Sequence, residues 1–166
     1  MRKSFFLSLL LTLCCTLTAW AEFNPTPDKA YALKERTSGL YLDILNGVDT
    51  SDDGTQRNIS LSSTPCEIYL EKNNQWTWFM KNSKGEYIHN MKSYSWNPEI
   101  AGTTKHNDGY WFFVENENGY VTIGSWNSTY INGAIEIGKP LYCNELGILE
   151  FTLEEFVEQT RLQVRR

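Results

Sequence analysis

The sequence predicts an all-β domain assembled from three copies of one four-stranded unit, and two recurring patterns carry that reading. The segments YALKERTSGLYLDI (31–44), WTWFMKNSKGEYIHN (76–90) and YVTIGSWNSTYING (120–133) each run as an alternating apolar strand, a short polar turn and a second strand. Their second strands hold Tyr41-Leu42, Tyr87-Ile88 and Tyr130-Ile131, spaced by 46 and then 43 residues. Between them a second alternating pattern recurs as EIYLEKN (67–73), YWFFVEN (110–116) and LEFTLEEF (149–156). Alternation at period two marks a half-buried strand. A unit of this size cannot bury its own apolar face and must pack against its copies. Three copies suffice to close a barrel.

Residues 1–21 read as an export signal, apart from the fold. Arg2 and Lys3 form the charged start, Phe5 to Leu17 the apolar run, and Ala19-Trp20-Ala21 a small-x-small cleavage site. The run is too short, with the wrong flanks, for a membrane span, so a mature, secreted or periplasmic chain beginning near Glu22 is expected, without membrane insertion. A lipoprotein anchored at Cys14 or Cys15 is the rival reading. It is weaker, because Leu13 and Cys14 are larger than such processing sites favour.

About 145 residues remain, enough for one domain with a real core. An extended lead-in (22–30) contains Pro25 and Pro27. The first repeat spans about 31–74, with a turn at Ser38-Gly39, a polar loop over 46–58, a third strand at Ile59–Ser62 and a fourth at Glu67–Lys72. Repeat two (about 75–118) opens after a tight turn at Asn73-Asn74, turns at Lys84-Gly85, and places its third strand between Ile100 and Lys105. Asn118-Gly119 is a hairpin signal leading into repeat three (about 119–156), because both positions tolerate positive φ. There the turn falls at Asn127-Ser128 and the third strand at Pro140–Cys143. Glu154 to Val164 reads as a short helical stretch, making 157–166 a C-terminal helical tail.

Twelve expected strands in three repeats resemble the β-trefoil, a six-stranded barrel capped by three hairpins. Within that fold, SGLYLDI (38–44) is similar to the Ser-Gly-x-Cys-Leu-Asp-Val segment of ricin B-chain-type lectins, with Tyr41 at the cysteine position. Asn74-Gln75-Trp76 resembles the family's Gln-x-Trp element, and Gly109-Tyr110-Trp111 does so less. The resemblance implies a site in which an aspartate accepts hydrogen bonds from sugar hydroxyls, a ring stacks on the sugar face and an Asn completes the set. A carboxylate fixes hydroxyl geometry, and a flat ring buries the C–H face of a pyranose.

Carried over by position, the aspartate slot is Asp43, then His89, then Asn132. The loop after Asp43 has no aromatic residue. Repeat two offers Tyr94 and Trp96, and repeat three offers Trp126, Tyr142 and Asn144. The candidate ligand-binding set is therefore Asp43, His89, Tyr94, Trp96, Asn132, Tyr142 and Asn144. Asp43 also has a plainer reading, as a turn carboxylate that stabilises its own loop, and that reading is favoured. Trp76, Trp78, Trp111 and Phe113 fall on strands and are expected in the core.

Other chemistries find little support. With 15 basic against 20 acidic side chains and no basic stripe, nucleic acid and anionic membrane are poor partners. Asp49 to Gly54 imitates the start of a calcium loop, but Arg57 and Ser60 stand at its ninth and twelfth positions, so no metal is expected. The two histidines, His89 and His106, make no metal pair, and the carboxylates Glu115, Glu117, Glu154 and Glu155 are spread over hairpins and tail. No enzyme and no cofactor are expected. Cys66 and Cys143 are either one disulfide or two buried thiols. Asn58 and Asn127 begin glycosylation triplets.

The expected function is thus carbohydrate binding, to extracellular or surface glycans, through loop aromatics and polar side chains. The alternative is protein binding, either as an accessory domain docked through its tail or as an inhibitor of the Kunitz soybean type. Such inhibitors expose a long loop between the fourth and fifth strands, where this chain has the short Asn73-Asn74 turn.

Overall fold

The computed structural model describes residues 23–49, 57–90, 98–125 and 128–157. The leader (1–21), most of the calcium-like loop, Tyr94, Trp96, Trp126 and the tail beyond Val157 lie outside them. The described chain is all-β: β1 (Ala30–Glu35), β2 (Tyr41–Asp49), β3 (Arg57–Ser62), β4 (Ile68–Lys72), β5 (Thr77–Asn82), β6 (Ile88–Asn90), β7 (Pro98–Ile100), β8 (Trp111–Glu115), β9 (Val121–Gly124), β10 (Thr129–Ile131), β11 (Ala134–Glu136), β12 (Tyr142–Cys143), β13 (Gly147–Ile148) and β14 (Glu150–Glu155). Among the described residues the only helix is a short 3-10 turn, Asn107–Gly109. None is long and apolar enough to cross a membrane.

Six strands close into a ring of antiparallel pairings in the order β1, β4, β5, β8, β9, β14 and back to β1. Closure leaves none of the six with an unpaired edge along its whole length. The sealing pair is long, running from Tyr31 opposite Glu155 to Glu35 opposite Phe151. Each ring strand sends one fully buried apolar side chain inward: Leu33, Ile68, Met80, Trp111, Ile123 and Phe151. The core is these six residues and their neighbours. Trp111 also anchors what lies above it, donating its indole N–H to the Ile88 carbonyl at 2.9 Å.

The remaining strands form hairpins on the ring. One junction recurs where a ring strand passes into the next strand. The N–H of Glu35 donates to Leu40 O at 2.7 Å, that of Asn82 to Glu86 O at 3.0 Å, and that of Ser125 to Lys139 O at 2.9 Å. Lys34 opposite Tyr41, Lys81 opposite Tyr87 and Gly124 opposite Pro140 bridge in the same way. All three polar residues are buried, and each is held within its own turn. The Glu35 carboxylate accepts from the N–H groups of Thr37 and Ser38, Asn82 Oδ1 accepts from those of Lys84 and Glu86, and Ser125 O accepts from Ser128 N–H. Burial pushes the Glu35 carboxyl up, but the hydrogen bonds from Ser38 and Thr37 outweigh it and hold the group below its ordinary value.

These junctions correct the expected register of the third segment. Leu42 and Ile88 are buried as anticipated, but the residue that fills the same place after β9 is Leu141, not Ile131. Tyr130 and Ile131 are 43% and 44% exposed. The reason is a longer turn. Between Ser125 and Lys139 the chain is longer than Arg36–Gly39 or Ser83–Gly85, and its described part, 128–138, includes an additional hairpin, β10–β11. Its two-residue loop is Asn132-Gly133, with φ of 50° and 88°, both positive as a primed hairpin turn requires. At the hairpin's base, a Cβ on Gly124 would lie 2.4 Å from Ser128 Oγ and 2.9 Å from Ile137 Cδ1, so any larger residue would require those side chains to move.

Other expectations shift with it. Pro140–Cys143 is the second strand of its segment, with β13 as the third. The third strand of the middle segment is Pro98–Ile100 rather than a run from Ile100 to Lys105. No helix starts at Glu154, because Glu154 and Glu155 complete the ring opposite Ala32 and Tyr31. Trp76 is half-buried outside β5 and stacks on Tyr130, with ring centroids 3.7 Å apart and planes 19° from parallel. Cys66 and Cys143 are free thiols. Cys66 donates to Leu42 O at 3.2 Å, and burial pushes its thiol up to about 12, which makes it inert.

The register carries a test. Leu141→Ala should lower stability by about 2–5 kcal/mol in urea unfolding, as core truncations do, whereas Ile131→Ala should change it by no more than about 0.5 kcal/mol. The reverse ranking would restore Ile131 as the core residue.

Candidate functional site

A cleft of about 390 Å³ opens between the β2–β3 hairpin and the β12–β13 hairpin, beside Pro98. Its apolar floor includes Leu42, Leu61 and Leu141, the same side chains that seat the hairpins on the ring. The polar wall is Asn58, Ser60, Asn144 and Glu145. Over it stands Tyr142, 54% exposed.

Local geometry places each group. Tyr142 pairs with Ile148 and Cys143 with Gly147, so Asn144–Leu146 form the tip, closed by Leu146 N–H to Cys143 O at 3.2 Å. Because Leu141 points into the core, the next residue along the strand must face outward, which exposes the Tyr142 ring. The Cys143 thiol donates to Glu145 Oε2 at 2.9 Å, and this bond holds the Glu145 carboxyl below its ordinary value. Asn58 sits on β3 opposite Val48 and Glu99, between β2 and β7. Its Oδ1 is buried with no hydrogen-bond partner among the described residues. A buried acceptor left empty is costly, and this oxygen is closed to the cleft, so the polar groups a ligand can reach include those of Asn144 and Glu145, which are exposed.

The expected site residues divide. Tyr142 and Asn144 line this cleft together. By the recurring junction, Tyr142 rather than Asn132 occupies the position of Asp43 and His89, each two residues beyond the bridging residue. Asn132 is instead the exposed turn residue of β10–β11. Asp43 is 5% exposed, and its Oδ1 accepts from the N–H groups of Leu45 and Asn46 at 2.8 and 2.9 Å. Its carboxylate stabilises its own loop. Asn58, Ser60 and Glu145 were missed as cleft-lining groups. Asn58 and Ser60 lie on a strand, and only the packing of two distant hairpins turns them toward a cleft.

His89 is 1% exposed on β6. Its Nδ1 lies 3.6 Å from Asp108 Oδ1, its ring stands edge-on to His106 at 5.3 Å, and Glu99 is opposite it on β7. Burial disfavours the imidazolium and holds the His89 pKa below its ordinary value, with Asp108 opposing the effect and His106 adding to it. Among the described residues no group of three or more His, Cys, Asp or Glu side chains could hold a metal ion. A second polar cluster, on the ring, is built around Glu71, which accepts from Lys81, from Lys105 at 2.7 Å and from Tyr87 OH at 3.0 Å. Burial pushes this carboxyl up, but the hydrogen bonds from Lys105, Lys81 and Tyr87 prevail and bring it to about 2.

No protein-family model matches the chain, and no curated protein matches its sequence.

The buried imidazole sets a pH dependence. The unfolded chain protonates His89 near the ordinary value of about 6.5, while the folded chain resists. The contribution is fully present above that value and is lost as pH falls below it. Thermal midpoints measured from pH 7.5 down to 5 should fall in the wild type, and the slope should flatten in His89→Gln. Equal slopes would show that His89 is not the group responsible. The Glu71 contribution should be lost separately, between about 4.5 and about 2.

Proposed function

We propose that this chain is an exported β-trefoil protein that binds carbohydrate rather than catalysing a reaction, and that the Tyr142 cleft is its binding site. The trefoil reading is supported by the closed six-strand ring, by the junction that recurs three times, and by a strand order in which β1–β9 and β12–β14 supply four strands to each segment. β10–β11 is then an insertion in the third repeat. Export rests on the leader at 1–21.

One juxtaposition carries the functional reading. An exposed ring, Tyr142, stands over a cleft whose rim carries the exposed polar side chains of Asn144 and Glu145. A pyranose presents one apolar C–H face and a rim of hydroxyls. The ring takes the face, and Ser60, Asn144 and Glu145 take the rim. The Glu145 carboxylate, ionised with help from Cys143, is the acceptor that fixes hydroxyl orientation, the role that the lectin resemblance assigns to aspartate. Tyr94 and Trp96 remain candidates for a separate site in the second repeat, and two sites would raise avidity for a repeating glycan. The tight β4–β5 turn, in which Asn73 N–H donates to Thr77 O at 2.9 Å, leaves no long loop of the inhibitor kind.

A glycan array tests this directly. The protein should bind a defined subset of glycans, and Tyr142→Ala should weaken that binding by about tenfold or more, as loss of a stacking ring does. Circular dichroism of the variant should be unchanged. Absence of binding on a broad array, or binding indifferent to Tyr142→Ala, would overturn the assignment. Loss confined to Trp96→Ala would move the site to the second repeat.

A further inference from the structure

A second groove, of about 370 Å³, shares no lining residue with the Tyr142 cleft. It forms where the β10–β11 hairpin meets β5 and β8, and aromatic rings dominate it. Phe23 stacks on Phe113 at 4.6 Å and meets Trp78 edge-on at 5.7 Å. Lys72 Nζ already stands 5.3 Å from the centroid of Trp78, so the faces left for a ligand belong to the Trp76–Tyr130 stack. One carboxylate, Glu115, joins the lining, and it has no hydrogen-bond or ion-pair partner among the described residues. No lysine, arginine or histidine is among the residues that form the groove.

The geometry points to an organic cation as the occupant of this groove, specifically a methylated ammonium group held against the Trp76–Tyr130 stack with Glu115 as its counter-charge. The negative face of an aromatic ring attracts a cation, and a poorly hydrated methylated ammonium loses little on leaving water. Competing ligand classes fit less well. A sugar would find few side-chain acceptors, Gln75, Glu115 and the Tyr130 hydroxyl, for its ring of hydroxyl donors, and nothing in that set calls for the unpaired charge of Glu115. An inorganic cation needs several oxygen ligands where one carboxylate stands. A neutral apolar ligand would cover the Glu115 charge without compensating it. The inference uses none of the residues of the glycan cleft, so either reading can fail without the other.

Titration of the purified protein with choline, followed by tryptophan fluorescence and calorimetry, tests the inference. The uncharged tert-butyl isostere of choline and a panel of monosaccharides serve as comparators. Choline should bind, and the isostere should bind about tenfold more weakly. Tyr130→Ala lies on an exposed hairpin outside the core and should abolish binding while circular dichroism stays unchanged, and Glu115→Gln should weaken it by about tenfold. Three results would each overturn the proposal: no choline binding, an isostere that binds as tightly as choline, or affinity unaffected by Glu115→Gln.

Discussion

The pairing of β1 with β14 is the constraint on which the rest of the molecule depends. It joins residues more than a hundred positions apart, from Tyr31 opposite Glu155 to Glu35 opposite Phe151, and turns an open antiparallel sheet into a ring. Without it, both strands would present unpaired backbone groups and the core would lose one wall. The pairs at its margin, Lys29–Glu155 and Arg36–Glu150, are largely exposed and add little. Backbone ladders and the inward residues Leu33 and Phe151 supply the stabilisation. Because the contacts are so distant in sequence, closure is also the step with the largest loop entropy, which makes folding slow relative to local hairpin formation.

Once the ring is closed, the hairpins above it are seated by Leu42, Ile88 and Leu141, and their positions decide where clefts can open. Two hairpins, β2–β3 and β12–β13, border the Tyr142 cleft. On the pairing between β3 and β7, Asn58 stands opposite the buried Glu99, and Asn58 also lines the cleft. The third segment differs because residues 126–138 were free to extend without disturbing the junction at Ser125 and Lys139. Surface turns tolerate such additions at small entropic cost. The β10–β11 hairpin brings Tyr130 onto Trp76 and forms one side of the aromatic groove.

Much of the ring was legible in the sequence. The apolar content of YALKE, WFMKN and WFFVE reports strands, and the structure buries Leu33, Met80, Trp111 and Phe113, together with Ala32, Phe79 and Phe112 on the opposite faces. The third register was misread because Tyr130-Ile131 imitates Tyr41-Leu42 and Tyr87-Ile88 more closely than Pro140-Leu141 does. A local signal against that alignment was present. Asn132-Gly133 is a two-residue hairpin loop by composition, and it immediately follows the supposed core strand. Trp76 was assigned to the core for a similar reason, as one more aromatic in an alternating run, although its neighbour across space is set by the insertion.

The site was legible in part. Tyr142 and Asn144 could be picked out as an aromatic and an amide at the end of an expected strand, Pro140–Cys143, in the third repeat. Asn58 could not, since its local signal is only a glycosylation triplet, and its place beside the cleft depends on β3 lying between β2 and β7. Asp43 and His89 were legible only through the aspartate position of the lectin resemblance; the structure gives the Asp43 carboxylate to its own loop, the plainer reading, and buries His89 beside Asp108.

Amide hydrogen exchange resolved by residue addresses the ring most directly. If the first and last strands seal it, the amides of Ala32, Lys34 and Glu154, which face across that pairing, will exchange as slowly as those of Glu71 and Phe79, through opening of the whole domain. Rapid exchange across β14, with β4 and β5 still protected, would show a frayed terminus beside an open sheet and would contradict the closed ring.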